Sequence, residues 1–215
     1  MNSSKGAVGG VVLCGGRSRR MGESKAWLDF QGEPMLTRVV RQLLSVVTPC
    51  VVVRAPGQVL PQLPPEVRIV DDPVADRGPL QGIATGLAAL APHCRQAFVS
   101  STDVPFLNPQ FIKRLVELAA DRYDIVVPHT DGYAHPLAAL YATALHEKAQ
   151  SLLDQDQRRP VFLFNEATTL HADAERLLAS EALRAADPRL DSLRNLNTPH
   201  DARLARLTAT TKTPS

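Results

Sequence analysis

Residues 11–25 read VVLCGGRSRRMGESK, an apolar run that stops at two adjacent glycines and passes into a basic loop. The apolar run is typical of a buried strand, and the paired Gly15 and Gly16 let the backbone lie against a ligand and direct N–H groups toward it. Four cations follow within nine residues: Arg17, Arg19, Arg20 and Lys25. Ligands of open α/β sheets bind beyond the carboxyl ends of strands, so this stretch predicts a phosphate-binding loop and a nucleotide ligand.

Two common phosphate motifs do not fit this loop. A dinucleotide fingerprint needs G-x-G-x-x-G, whereas the next glycine after the adjacent pair is Gly22. A Walker A loop needs G-K-[ST], whereas Gly22 is followed by Glu23. The hypothesis that the stretch is only a flexible basic turn between a strand and a helix therefore stays open beside the nucleotide hypothesis.

Length and composition predict one soluble domain in a reducing compartment. The chain has 215 residues, of which 44% are hydrophobic, enough for one substantial core, and its net charge of +2 does not favour nucleic-acid or membrane-surface binding. Cys14, Cys50 and Cys94 contain no C-x-x-C pair, so neither a disulfide framework nor a zinc site is expected. Because no apolar run approaches the ~20 residues of a membrane span and no signal peptide is evident, we expect a cytoplasmic protein.

The chain alternates strands and helices in the rhythm of an α/β fold. Strands are predicted at 8–14, 50–53, 67–70, 96–100, 124–127 and 136–141, with an extended stretch at 27–30. Helices are predicted from residue 35 to before Pro49, and at 83–90, 109–120, 144–153, 174–186 and 199–207. Asn108 and Pro109 are the expected N-cap and first residue of the third helix, and Gly86 is expected to mark close packing on the sheet. Residues 58–66 predict a proline-rich surface loop, and periodicity leaves the type of 161–164 open.

Two further strand ends carry candidate site residues. Residues 71–82 read DDPVADRGPLQG, with three acids and two glycines directly after a predicted strand. Asp103 follows the next strand, and Pro105 fixes the turn behind it. A carboxylate in that place suits a hard divalent cation such as Mg²⁺, although a turn acid or a helix cap would have the same position.

These pieces, in this order, resemble the MobA-type nucleotidyltransferases. Residues 13–25 are similar to the family's LAGGxSxRMGxDK loop, with Cys14 where Ala is usual and Ser24 where Asp is usual. Residues 32–36, 72–82 and 102–106 are similar to its GxPLL turn, its D…GPLAG segment and its D-x-P-F corner, and 135–137 and 195–199 match later signatures. The resemblance covers about the whole chain and departs at Arg54, where members commonly carry Asn.

The resemblance implies a Rossmann-like, three-layer α/β/α fold of the nucleotide-diphospho-sugar-transferase type, with a mostly parallel mixed sheet. It implies one domain over 1–215, with a nucleotide-binding half at about 8–107, an acceptor-binding half at about 108–207 and a loose tail at 208–215. The implied reaction is transfer of GMP from GTP to the terminal phosphate of molybdenum-bearing molybdopterin, with Mg²⁺ as cofactor and pyrophosphate released. Such a displacement mostly requires positioning and charge neutralisation, which a basic loop and a strand-end acid can supply.

The resemblance also implies roles for single residues. The implied catalytic residues are Arg20 and Lys25, which would neutralise the triphosphate, and Asp103, which would hold Mg²⁺. The residues implied to bind the substrates are Leu13, Cys14, Gly15, Gly16, Arg17, Ser18, Lys25, Asp72, Gly78, Pro79, Gly82, Asn195 and Asn197. Among them the first-loop backbone and Asp72 would meet guanine, whose N1–H and 2-amino group are two donors. Arg158, Arg159, Asn195 and Asn197 would face the pterin.

Two other functions stay open. A related transferase could use CTP or another nucleotide on molybdopterin or another phosphorylated acceptor, although cytidylyltransferase relatives usually resemble LAAG at the paired glycines. A non-catalytic nucleotide-binding module is the other class, but binding alone would not need Arg20, Lys25 and Asp103 together. No nucleic-acid or membrane partner is expected, and the resemblance implies transient contact with other molybdenum cofactor proteins.

Overall fold

The structure is a computed structural model and describes residues 8–15, 24–74 and 77–196. Its first part contains β1 (Val8–Leu13), a 3-10 turn (Lys25–Trp27), the hairpin strands β2 (Asp29–Phe30) and β3 (Glu33–Pro34), α1 (Met35–Leu44), β4 (Cys50–Arg54), β5 (Val67–Asp71), α2 (Pro79–Leu90), β6 (Gln96–Ser101) and α3 (Pro109–Ala119). Its second part contains β7 (Ile125–Thr130), β8 (Tyr133–Ala134), β9 (Ala138–Ala142), α4 (Leu145–Asp154), α5 (Pro160–Asn165), β10 (Thr169–Ala172), α6 (Ala174–Leu178), α7 (Glu181–Ala186) and a second 3-10 turn (Asp191–Leu193).

The main sheet is mixed and mostly parallel. Its strands are ordered β10-β7-β9-β6-β1-β4-β5, with β8 paired to β7. Along that order β9 runs antiparallel to both of its neighbours, and the other neighbouring strands pair in parallel. Leu13 lies opposite Val53 on one side and Ser101 on the other, so the carboxyl ends of β4, β1 and β6 meet at one edge of the sheet.

Helices cover both faces of this sheet, which confirms the three-layer prediction. Side chains alternate along each strand, so Val12 and Phe98 face one core while Val11 and Val99 face the other. The first core is completed by α1, α3, α6 and α7, and the second by α2, α4 and α5. Burial on both faces explains why β1 and β4 are nearly continuous apolar runs in the sequence.

Helix α3 begins where the sequence predicts. The Asn108 side chain accepts a hydrogen bond from the backbone N–H of Gln110, and Pro109 is the first helical residue. This cap satisfies one of the N–H groups that have no partner inside the helix, and proline needs no such partner. Both predictions for the start of this helix are confirmed.

Helix α2 begins four residues earlier than predicted. Pro79 is its first residue and Gly78 its N-cap, with φ 85°, so Gln81 and Gly82 belong to the helix and not to the preceding loop. Proline at the first helical position has its φ already set for a helix, and a left-handed φ at the N-cap favours glycine.

The expected close packing at Gly86 is confirmed. A Cβ added there would lie 2.4 Å from Cγ1 of Val11, so the absent side chain brings the axis of α2 close to β1.

Other element predictions need correction. The single helix predicted at 174–186 is two short helices, because Ser180 is extended and caps α7 through the N–H of Leu183. Residues 25–27 form a 3-10 turn, so only Asp29 and Phe30 of the stretch 27–30 are strand. Residues 161–164, left open by the sequence, are helical in α5, and β10 was not predicted. The helix predicted at 199–207 lies outside the described residues.

Two predictions from composition can be compared with the structure. Cys14, Cys50 and Cys94 are all buried and unpaired, as expected of a chain without a disulfide framework. Within the described ranges, none of the helices has the length and apolar character that crossing a membrane requires.

Candidate active site

The carboxyl ends of β1 and β6 are joined by a side-chain hydrogen bond next to Asp103. The Thr102 hydroxyl donates to the carbonyl of Leu13 over 3.0 Å, which ties the two strand ends together. The next residue, Asp103, lies in the turn after β6, ahead of Val104 and Pro105. The strand-end position predicted for this carboxylate is therefore beside the end of β1.

Lys25 and Asp103 form an ion pair at this edge. Nζ of Lys25 lies 2.7 Å from Oδ2 of Asp103, and the Ser101 hydroxyl donates to Oδ1 over 2.6 Å. The side chains are 27% and 13% exposed, so solvent screens this pair less than a surface pair. Asp103 does not cap α3, since Asn108 has that role. The cation and carboxylate that the sequence assigns to triphosphate and metal thus lie in direct contact.

The residues described around Asp103 suit a divalent cation that is shared with substrate. Within the described ranges, no three His, Cys, Asp or Glu side chains lie close enough together to hold a metal ion. Mg²⁺ usually binds through one or two carboxylates together with substrate phosphates and water, and not in an all-protein cage. A single strand-end carboxylate beside a lysine fits that mode of binding.

The two ends of the first loop are held by one side chain that the sequence analysis missed. Nε2 of Gln58 donates to the Cys14 carbonyl and to the Ser24 hydroxyl oxygen, each over 3.1 Å. Oε1 of Gln58 accepts from the N–H of Ala55, also over 3.1 Å. Residue 58 falls in the predicted surface loop and belongs to no motif, so the sequence contains no signal for these contacts.

Arg54, where the family pattern has Asn, is directed toward the edge of the sheet. Its Nε donates to Oδ1 of Asp71 over 2.7 Å, and its NH1 donates to the Gln58 carbonyl over 2.9 Å. The guanidinium is therefore held by an acid and a carbonyl at the ends of β4 and β5.

Asp72 lies half-buried just after β5. Its N–H donates to the Arg54 carbonyl, and its Oδ1 accepts from the N–H of Val74 over 3.3 Å. Burial raises the pKa of Asp72, because removal from water disfavours the charged carboxylate. Such a carboxylate is stabilised by any ligand that donates hydrogen bonds to it.

The start of α2 packs against the end of β1. A Cβ added at Gly82 would lie 3.1 Å from the Leu13 side chain, and one at Gly78 would lie 3.4 Å from the Arg158 carbonyl. The N-cap residue Gly78 makes no side-chain hydrogen bond to the first turn of α2, and the N-terminus of a helix favours anions. Gly78, Pro79 and Gly82 thus belong to the same corner as Leu13.

Later residues reach this corner from the second half of the chain. The N–H of Leu196 donates to the Asp103 carbonyl over 2.8 Å, and the Leu196 side chain is buried with Phe30 and Met35. Asn195 is exposed beside this contact. Arg158 is exposed and pairs with Asp156, and Arg159 is exposed at the N-cap of α5.

His135 is a packed residue at the end of the β7–β8 hairpin. Its Nε2 lies 2.8 Å from the Thr130 hydroxyl, and its N–H donates to the Pro128 carbonyl. Burial lowers the pKa of His135, so the neutral imidazole is favoured. Of the predicted site residues, Gly16, Arg17, Ser18, Arg20 and Asn197 lie outside the described residues.

Comparison with known proteins identifies the family of this chain. Residues 10–170 match the family model described as the MobA-like NTP transferase domain. The chain is 37% identical over 199 residues to a protein of Mycolicibacterium paratuberculosis named probable molybdenum cofactor guanylyltransferase, covering 91% of this chain and 93% of that protein.

Solved structures have the same fold. Molybdopterin-guanine dinucleotide biosynthesis protein A from Archaeoglobus fulgidus superposes with a TM-score of 0.75 at 23% identity, over 95% of this chain and 100% of that chain. The 2-C-methyl-D-erythritol 4-phosphate cytidylyltransferase of Thermus thermophilus superposes with a TM-score of 0.64 at 16% identity, over 95% and 99%. At these identities the likeness concerns the fold alone, while the family model spans most of the chain: this protein is a member of the MobA-like NTP transferase family.

Proposed function

We propose that this protein transfers GMP from GTP to the terminal phosphate of molybdenum-bearing molybdopterin. The observation that carries the proposal is the Lys25–Asp103 pair, 2.7 Å apart where β1 and β6 end. In this pair a cation that suits phosphate lies next to a carboxylate that suits a divalent metal, which supports the proposal. The family membership and the name of the Mycolicibacterium relative support GTP and molybdopterin as the two substrates.

The proposed step is a displacement at phosphorus. An oxygen of the molybdopterin phosphate forms a bond to the α-phosphorus of GTP, and the bond from that phosphorus to the bridging oxygen breaks as pyrophosphate leaves. Lys25 would bind a phosphate oxygen, and Asp103, now paired with Lys25, would hold the metal. Bound Mg²⁺ would supply neutralisation of the triphosphate charge. Ser101, through its bond to Oδ1, would keep the carboxylate oriented during this step.

Guanine would be recognised at the ends of β1 and β5. We assign the backbone of Leu13 and Cys14 to the base; the Cys14 carbonyl accepts one side-chain hydrogen bond, from Gln58, and a carbonyl oxygen has two lone pairs. Burial raises the pKa of the half-buried Asp72, so its charged carboxylate would be stabilised by two N–H donors from a ligand. Guanine offers such a donor pair, whereas cytosine does not in the same geometry.

The second half of the chain would bind the acceptor. Arg158 lies against Gly78, and the segment that ends at Leu196 contacts Asp103, so residues from beyond 108 border the proposed nucleotide site. We assign Arg158, Arg159 and Asn195 to the pterin side of the site. The three buried, unpaired cysteines suit a reducing compartment, and we place the reaction in the cytoplasm.

Competition kinetics test the choice of base. With molybdopterin, Mg²⁺ and equal concentrations of GTP and CTP, we expect kcat/KM for GTP to exceed that for CTP by at least about tenfold. The reason is that each buried acceptor left unpaired by the wrong base costs ~1–3 kcal/mol. Asp72→Ala should narrow this ratio and leave the triphosphate contacts of Lys25 intact.

Two outcomes would contradict the proposal. A preference for CTP in the wild-type protein would identify a cytidylyltransferase, with which the fold is also compatible. Tight binding of GTP without any turnover of molybdopterin would indicate a nucleotide-binding module. A thermal-shift series with GTP, CTP, ATP and UTP separates binding from turnover, since a ligand raises stability in proportion to ln(1 + [L]/Kd).

A further inference from the structure

One arginine lies between the two segments that we assign to guanine. Arg54 ends β4, and β4 lies between β1 and β5 in the sheet. On the β1 side, a Cβ added at Gly15 would lie 3.4 Å from the nitrogen of Ala55 and 3.8 Å from the carbonyl carbon of Arg54. On the β5 side, the N–H of Asp72 donates to the Arg54 carbonyl over 2.7 Å. The backbone of Arg54 therefore adjoins both the end of β1 and the carboxylate assigned to the base.

A guanidinium in this place would work against the choice of guanine. The N1–H and 2-amino groups of guanine are donors, so a site that selects guanine must present acceptors to them. A guanidinium has only donors, which suit N3 and O2 of cytosine. It would also bind the carboxylate of Asp72, because burial raises the pKa of Asp72 and a nearby cation favours the charged form. An Arg54 side chain that turned toward Asp72 would therefore weaken GTP binding and favour CTP.

The guanidinium of Arg54 is bound by a different carboxylate. Its Nε donates to Oδ1 of Asp71 over 2.7 Å, and its NH1 donates to the Gln58 carbonyl over 2.9 Å. Arg54 lies opposite Asp71 in the parallel ladder of β4 and β5, so the two side chains share one face of the sheet. In the part of the chain that the structure describes, Arg54 forms an ion pair with Asp71 and none with Asp72. The two neighbouring acids thus differ, since Asp71 is occupied by the cation and Asp72 is not.

We propose that Asp71 is a positioning residue for the choice of base: it holds the guanidinium of Arg54, so that Asp72 stays available to the two donors of guanine. The inference rests on the proposed function for the identity of the base. Its physical content is a competition between two neighbouring carboxylates for one cation, and this competition exists in the free protein. Removal of the Asp71 carboxylate should release Arg54 to Asp72.

Nucleotide affinities test the effect of Asp71 on the base. We expect Asp71→Ala to lower the ratio of Kd for CTP to Kd for GTP by about fivefold, with both constants measured by calorimetry in the presence of Mg²⁺. The ratio cancels any loss of affinity that is common to all nucleotides. Glu66→Ala is the matched control, because it removes an exposed acid just before the other end of β5, and its ratio should equal that of the wild type. An unchanged ratio in Asp71→Ala, or an equal fall in both variants, would overturn the inference.

A second substitution shows whether Asp71 acts through the cation. Arg54→Met keeps an unbranched apolar side chain and removes the guanidinium. The double variant Asp71→Ala/Arg54→Met should recover the wild-type ratio, because no guanidinium is left to turn toward Asp72. A purely structural role for Asp71 predicts the opposite, since a second substitution at the same strand ends would not repair a distorted site. A ratio that stays low in the double variant would therefore overturn the positioning role.

The pKa of Asp72 reports the same competition without any nucleotide. A nearby cation lowers the pKa of a carboxyl, so NMR titration should give a lower pKa for Asp72 in Asp71→Ala than in the double variant. Both variants lack the charge of Asp71, so its removal does not contribute to this difference. Equal pKa values would overturn the inference. A lower pKa of Asp72 in Asp71→Ala, combined with a wild-type protein that prefers CTP, would support the competition for Arg54 and contradict the proposed function, so the two failures are distinguishable.

Discussion

Lys25 could act in either of two ways, and kinetics separate them. If its ammonium contacts the triphosphate more strongly as charge builds on the leaving pyrophosphate, Lys25→Ala should lower kcat by about a hundredfold and weaken GTP binding much less. The measurements are single-turnover kinetics and calorimetry of GTP binding. Lys113→Ala, on the exposed face of α3, is the control for removal of one positive charge. Weakened GTP binding with unchanged kcat would show that Lys25 only binds.

Asp103 should set the metal requirement. Asp103→Asn keeps the side-chain shape and an oxygen that can accept from the Ser101 hydroxyl, and it removes the charge that would hold Mg²⁺. We expect a folded protein whose stability changes by about 1 kcal/mol or less, since Lys25 is partly exposed to water. Its activity should be lost, or recovered only at a much higher Mg²⁺ concentration. A rate profile against Mg²⁺ that matches the wild type would place the metal elsewhere.

Residues of this site differ in how far sequence alone could identify them. Lys25 and Asp103 stand in motifs whose chemistry is readable, and the structure pairs them. Gln58 could not be identified, because its partners Cys14 and Ser24 are 44 and 34 positions away and a glutamine in a polar loop has no distinctive pattern. Cys14 and Ser24 are also the two positions at which the loop departs from the family pattern, and both contact this glutamine.

At the scale of elements, the β2–β3 hairpin is joined to α1 through Glu33. Its Oε1 accepts from Arg41 over 2.6 Å and from Arg38 over 3.1 Å. Both bonds lower the pKa of Glu33, and the bond from Arg41 has the larger effect. Arg38 also donates to the Pro105 carbonyl, two residues beyond Asp103. Arg38 of α1 thus contacts both the β2–β3 hairpin, through Glu33, and the turn after Asp103, through Pro105.

This contact predicts a pH-dependent stability. A carboxyl whose pKa is lower in the folded than in the unfolded state stabilises the fold above the unfolded pKa, near 4.5, and that stability is lost as the pH falls through the folded pKa. Glu33→Gln should therefore lower the free energy of unfolding by about 0.5–1 kcal/mol at pH 7, where the 25% exposed side chain is ionised, and by almost nothing near pH 3. Urea unfolding at the two pH values measures both differences, and equal differences would contradict the ion-pair account.

Elements with a strong local signal were predictable, and those set by tertiary contacts were not. The apolar run of β1 and the capped start of α3 are encoded within a few residues. The chain breaks between α6 and α7 because the Ser180 side chain caps α7. The apolar periodicity over 174–186 is continuous, so the sequence gives no sign of this break. Strand β10 is only four residues long and is recognisable by its pairing with β7.

At the scale of the molecule, one sheet crosses the expected division between nucleotide and acceptor halves. Strand β6 belongs to residues 8–107, yet it pairs along its length with β9, from Gln96 opposite Ala142 to Ser100 opposite Ala138. Helices α2 and α4, also from different halves, share the core that contains Leu80, Ala84 and Leu153. Each half therefore completes a surface that the other would leave exposed.

The sheet predicts that the two halves do not fold separately. A fragment of residues 1–107 would expose one edge of β6 and the face of α2 that packs on α4, so it should show no cooperative urea transition by circular dichroism. The full chain should unfold in a single transition. A cooperative transition in the fragment, or two transitions in the full chain, would show that the halves are independent units.

The bond from Leu196 to the Asp103 carbonyl has a consequence for when the protein becomes competent during its synthesis. A nascent chain emerges from the ribosome in sequence order, so Lys25 and Asp103 are exposed to the cell long before Leu196 can pack on Phe30 and Met35. A half-made chain would carry both charged residues without the elements that hold them together. Stalled or truncated products that lack this segment should therefore be poor traps for nucleotide, and the finished site would form only after Leu196 has been made.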